Sequence, residues 1–60
     1  MEIEMFKKRF VNLPVEAQKF NWQRMQNEKT RLIDSQKSQD AKNAVNELFV
    51  WMSQRMQEIN

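Results

Sequence analysis

Apolar residues repeat at helical spacing in the last third of the chain. Between positions 41 and 59, nine of them lie on one side of a helix that advances about 100° per residue. They are Ala41, Ala44, Val45, Leu48, Phe49, Trp51, Met52, Met56 and Ile59. This stripe spans roughly 160° of the circumference, more than one neighbouring helix covers. The pattern predicts a helix over about 40–59 whose apolar side needs a second chain.

An earlier helix is predicted over about 14–35. Pro14 suits the first helical position, and Glu16 faces the positive end of the helix dipole. The apolar side of this helix is narrower, because Gln18 and Lys29 interrupt it. Its apolar residues are Val15, Trp22, Met25, Leu32 and Ile33.

The segment 35–40 is wholly polar and provides Ser38 or Asp40 as an N-cap for the next helix. We interpret it as the turn of a helical hairpin. A single rod of about 45 residues is the alternative, since none of these residues strongly opposes a helix. Only the hairpin lets the two tryptophan-bearing stripes bury each other.

Residues 1–5 alternate apolar and acidic side chains, a pattern typical of a short strand with one covered side. Ile3, Phe6 and Phe10 also fit a helix. We favour a strand over about 2–7 because the β-branched Ile3 lies at the centre of the alternation.

No other segment resembles a strand, so this one must pair with its counterpart in a second copy. The sequence therefore predicts one mainly α domain over 1–60, a two-helix hairpin with an N-terminal strand that pairs across an intertwined homodimer. The predicted dimer core comprises Ile3, Met5, Trp22, Met25, Leu32, Val45, Leu48, Phe49, Trp51, Met52 and Met56.

The small size of the chain also favours a homodimer. A domain of 60 residues has a small core, and without Cys or His it lacks disulfides and the usual zinc ligands. Oligomerisation is the remaining stabiliser, and we expect no metal and no cofactor. The absence of Cys and of a long apolar run suits the cytoplasm. A membrane-surface helix is disfavoured because residues 40–60 carry a net charge of −1.

The composition lacks most of the side chains that commonly carry out catalysis. The chain has no His, Cys or Tyr, and its three serines have no recognisable activating partner. We expect a protein that is not an enzyme, with no catalytic residues.

The sequence offers a candidate nucleic-acid contact in Lys7, Lys8 and Arg9. Residues 5–33 carry seven basic and two acidic residues, a balance of +5, and Phe6 and Phe10 can stack on exposed bases. We interpret the triplet as a solvated surface beside the strand, and keep a small dimeric nucleic-acid-binding regulator as the alternative.

A partner surface is the other candidate site. Phe20 and Val50 lie on the polar sides of their helices, and with Phe10 they can form an apolar patch. The methionines and aromatics of the stripes can also line a groove for a helix of a host protein. These residues are Trp22, Met25, Phe49, Trp51, Met52 and Met56. We interpret them as core.

Three segments characterise the whole chain: MEIEMFKKRF at 1–10, FNWQRMQ at 20–26 and LFVWMSQRM at 48–56. With them it resembles the very small early-region lytic developmental proteins that lambda-like temperate phages encode between their exonuclease and excisionase genes. The resemblance implies a dimeric helical protein made early in infection inside a bacterial host, which biases development towards lysis. It brings no functional residue with it. We therefore expect a non-enzymatic phage regulator that acts as a homodimer, through contacts with a host or phage protein in the host cytoplasm.

Overall fold

Helices account for most of the computed structural model, which describes residues 2–59 and leaves out Met1 and Asn60. They are α1 (Ile3–Asn12), α2 (Val15–Asn27), α3 (Lys29–Asp34) and α4 (Gln39–Ile59). The prediction of a mainly α protein is confirmed. Over the described range no segment is a strand, and no helix is both long enough and apolar enough to cross a membrane.

The predicted strand over 2–7 is wrong, because α1 occupies this segment. Glu2 caps the helix, its side chain accepting a hydrogen bond of 3.1 Å from the Glu4 backbone N–H. Ile3, Phe6 and Phe10 share one side of α1 and pack towards the core. The period-two pattern covers five residues, whereas the helical pattern extends to Phe10, and the longer pattern buries more apolar surface.

α1 and α2 meet at a sharp corner. Leu13 and Pro14 both have extended backbone, with ψ near 150°, so they end one helix and begin the next. The predicted helix over 14–35 is divided in the structure. α2 ends at Asn27, Glu28 has φ −100° and ψ 6°, and α3 continues from Lys29.

Gln18 holds this corner together. It is only 1% exposed, and its amide nitrogen donates to the carbonyl oxygens of Leu13 at 2.8 Å and Val11 at 3.4 Å. Its amide oxygen accepts from Nε of Arg55 at 3.1 Å. One side chain therefore satisfies carbonyl groups at the end of α1 and joins the corner to α4.

The chain folds back at residues 35–38, and α2 and α3 pack against α4. Ser38 caps the new helix, its hydroxyl oxygen accepting from the Ala41 N–H at 3.1 Å. Lys42 donates from Nζ to the Ile33 carbonyl oxygen at 3.2 Å. The hairpin interpretation agrees with this packing, and the continuous rod does not.

The wide stripe of α4 is covered within one chain. α2 contacts one edge, where the ring centroids of Trp22 and Phe49 lie 6.2 Å apart. α1 covers the other edge, where Phe10 and Trp51 make an edge-to-face contact at 5.8 Å. The buried apolar residues are Phe10, Val45, Leu48, Phe49, Met52 and Met56. Within this one chain, five of the nine stripe residues are buried, and four, Ala41, Ala44, Trp51 and Ile59, are half-buried.

Most of the predicted dimer core consequently lies inside a single chain. Ile3, Trp22, Met25 and Trp51 pack around the buried cluster of this same chain, and Leu32 is half-buried. Met5 is the exception, because it is exposed on α1. α1 therefore takes the place of the predicted strand, and self-association stays a prediction.

Two neighbouring positions on α4 test this core. Leu48 is buried and Val50 is exposed. We expect Leu48→Ala to lower the free energy of unfolding by about 2–5 kcal/mol, because it leaves a cavity. Val50→Ala should change it by less than about 0.5 kcal/mol. Urea denaturation followed by circular dichroism measures both, and equal losses would show that α4 is oriented differently.

The corner is tested by Gln18→Met, which keeps the volume and removes the hydrogen bonds. We expect a loss of about 1–3 kcal/mol, because the part-buried hydrogen bonds to the Leu13 carbonyl group and from Arg55 are lost. Gln23→Met, at an exposed position of the same helix, is the matched control. Equal stability of the two variants in urea denaturation would argue against the Gln18 contacts.

Candidate interaction surface

The basic triplet of α1 is not one continuous surface. Successive residues of a helix diverge by about 100°, so Lys7, Lys8 and Arg9 point in different directions. Lys7 Nζ lies 5.5 Å from the centroid of the Trp51 ring and 3.8 Å from Oε1 of Glu4. It therefore shields the core edge of α4, while Lys8 and Arg9 are exposed.

Other cations also serve the fold. Lys29 Nζ lies 5.4 Å from the Phe49 ring centroid, and Lys42 binds a backbone carbonyl. Lys19, Arg31 and Arg55 form ion pairs with acidic residues three positions away. The balance of +5 over residues 5–33 is thus distributed over three helices and partly engaged.

The predicted partner patch does not form as a unit. Phe10 is 2% exposed and belongs to the core, so its assignment to a partner surface is wrong. Phe20 is 64% exposed and Val50 is 58% exposed. Each lies two positions, or about 200°, from residues that face the seam between α2 and α4. Each side chain therefore points away from the core-facing side of its own helix.

The groove predicted from methionines and aromatics is also absent from residues 2–59. Met52 and Met56 are buried, and Trp22, Met25 and Trp51 pack against them. Phe49 is buried as well. Most of these side chains fill the space between the helices of one chain, whereas the half-buried Met25 also lines an open groove.

A different groove runs along α2 and α3, with a volume of about 580 Å³. It is lined by Asn21, Arg24, Met25, Glu28, Arg31, Leu32 and Ser35. Met25 and Leu32 are half-buried, whereas Arg24, Glu28 and Arg31 are exposed. The groove thus has an apolar floor and a charged rim. The sequence signal for this groove is a seven-residue spacing, which separates Met25 from Leu32 and Arg24 from Arg31. This spacing places each pair on one side of α2 and α3 when the two helices follow nearly the same path.

Residues 2–59 were also compared with the requirements of metal sites and of buried polar sites. Residues 2–59 contain no cluster of three His, Cys, Asp or Glu side chains that could hold a metal ion. Every buried side-chain nitrogen or oxygen there has a hydrogen-bond partner. Gln18, the buried polar residue, is fully engaged by the corner and by Arg55.

No protein family, no curated protein and no solved structure matches this chain.

The dispersed cations predict weak nucleic-acid binding. In a mobility shift assay at about 50 mM salt, we expect no complex with a short DNA duplex below about 10 μM protein. A complex that dissociates as salt is added, and that is lost in the variant Lys8→Glu but kept in Lys37→Glu, would contradict this. Lys37→Glu, at an exposed lysine of the interhelical turn, controls for net charge.

Proposed function

We propose that the chain is a non-enzymatic regulatory protein that acts by contacting another protein. The exposed Phe20 carries this proposal. Its neighbours on the outward side of α2, one turn away along the helix, are Glu16, Gln23 and Arg24, and all are exposed polar residues. A large aromatic ring surrounded by polar side chains contributes nothing to the core, and aromatic residues are the commonest anchors of protein interfaces.

The biological setting is supported by the resemblance to early-region phage proteins. We propose that the chain acts in the cytoplasm of a bacterial host and biases infection towards lytic development. Its small size suits this role, because a regulator that works by contact needs a folded surface and no catalytic site. The partner in this proposal is a host or phage protein.

Self-association belongs to the same proposal. Its support is physical size, since a core of six buried apolar residues leaves a small domain marginally stable. Met5, Val11, Leu13 and Val15 also remain partly exposed near α1 and the corner. A homodimer that covers some of them would gain stability without a strand.

The partner surface is tested by affinity capture from bacterial lysate with Phe20→Ser. We expect the variant to keep its stability within about 0.5 kcal/mol, as surface substitutions do, and to lose the captured partner. Gln23→Ser on the same helix is the matched control, and Val50→Ser tests the opposite side of the molecule. Capture that survives Phe20→Ser and fails in Val50→Ser would transfer the proposed surface to α4.

Self-association is tested by sedimentation equilibrium. We expect a mass of about twice the 7.4 kDa of one chain, and a midpoint of thermal unfolding that rises with protein concentration. A monomeric mass with an unfolding midpoint that does not change with concentration would show that α1 alone completes the core.

A further inference from the structure

The groove along α2 and α3 lies on the same side of the molecule as α1. Phe49 marks one side of the helix pair, because both Trp22 and Lys29 lie against its ring. Trp51 marks the opposite side, where α1 packs. The groove residues Asn21 and Glu28 precede Trp22 and Lys29 by one position, which rotates them to the Trp51 side.

α1 occupies only part of that side. It has ten residues, about 15 Å of helix, whereas α4 has twenty-one, about 31 Å. The aromatic and cation contacts of α1 with Trp51 and the hydrogen bond of Gln18 with Arg55 lie in the carboxyl-terminal half of α4, and Phe10 also belongs to the buried cluster that contains Leu48. The groove itself is lined by residues of α2 and α3 and by Ser35, which follows them.

The apolar residues of the groove floor and the basic residues of its rim have the same spacing along the chain. Met25 and Leu32 are seven residues apart, and so are Arg24 and Arg31, a distance of about 10 Å along the helical path. Glu28 lies between the arginines and pairs with Arg31 at 3.4 Å. Arg24 has no ion-pair partner among residues 2–59. The rim therefore carries an excess positive charge in a form that binds carboxylates well.

We propose that this groove binds an acidic amphipathic helix of another protein. The helix would present two apolar side chains to Met25 and Leu32, and two carboxylates to Arg24 and Arg31. Both pairs would repeat every seven residues. This inference rests on the proposed function, since it names the chemistry of a protein partner. It adds a contact surface next to Phe20, since the rim residue Arg24 lies one turn from Phe20 on α2.

The test uses the full chain and two labelled helical peptides of about 18 residues, long enough to span the groove at about 1.5 Å per residue. The Glu peptide carries two leucines and two glutamates, each pair at seven-residue spacing on one side. The Lys peptide replaces the glutamates with lysines. Fluorescence anisotropy should show the Glu peptide binding at least about tenfold more tightly than the Lys peptide, with a difference that shrinks as salt is added.

Charge reversal identifies the rim. Arg24→Glu should abolish the preference for the Glu peptide and favour the Lys peptide instead. Arg9→Glu, at an exposed arginine of α1, is the matched control and should leave the preference unchanged. Equal affinity for the two peptides, or an equal effect of both substitutions, would overturn the inference. Amide chemical shifts of the wild-type chain provide a readout without substitutions, and changes located outside residues 21–35 would overturn it as well.

The outcomes also separate this inference from the proposed function. Phe20-dependent capture of a partner, without binding of the Glu peptide, would overturn the groove and leave the function standing. Binding of the Glu peptide, with capture unaffected by Phe20→Ser, would support the groove and overturn the proposed role of Phe20. A dimer whose groove amides are protected, and which does not bind the Glu peptide, would mean that a second copy fills the groove, and that also overturns the inference.

Discussion

The packing of α1 over the Trp51 edge of α4 is the contact on which the rest of this structure depends. It places Phe10 in the core and covers the part of the wide stripe that α2 cannot reach. The corner that permits it is stabilised by Gln18, whose buried amide satisfies backbone carbonyl groups and binds Arg55. A corner with unpaired buried carbonyl groups would be costly, so the hydrogen bonds and the apolar contact support each other.

This arrangement decides which surfaces are left for a partner. Because α1 lies on the stripe, Met52, Met56 and most aromatic residues are used inside the chain, and Lys7 and Lys29 lie against aromatic rings at its edges. What remains exposed is different in kind: Phe20 on the outside of α2, and a groove of mixed character beside the end of α1. The charge that suggested a polyanion partner is divided among several helices. The groove keeps one local excess of it, at Arg24.

Several sequence arguments were right about a residue's character and wrong about its role. Gln18 was treated as an interruption of an apolar stripe, yet it is buried because its amide can donate and accept at once. The alternation near the amino terminus suggested a strand, but it was shorter than the helical repeat that contains it. Phe20 and Val50 were correctly predicted to be left over from the stripes, since each lies on the outward side of a helix. The sequence did not predict that Phe10 is buried, because its burial depends on where α1 packs.

The sequence by itself determined that the chain is helical, where α4 lies, and which of its faces is apolar, because these follow from local propensity and from periodicity along one helix. It could not determine which segment covers that face. That choice depends on contacts between residues far apart in the chain, such as Phe10 with Trp51 and Gln18 with Arg55. Only the tertiary structure decided that the covering helix comes from the same chain. It thereby also decided where the groove lies, because a groove exists only between elements whose relative positions are set by packing.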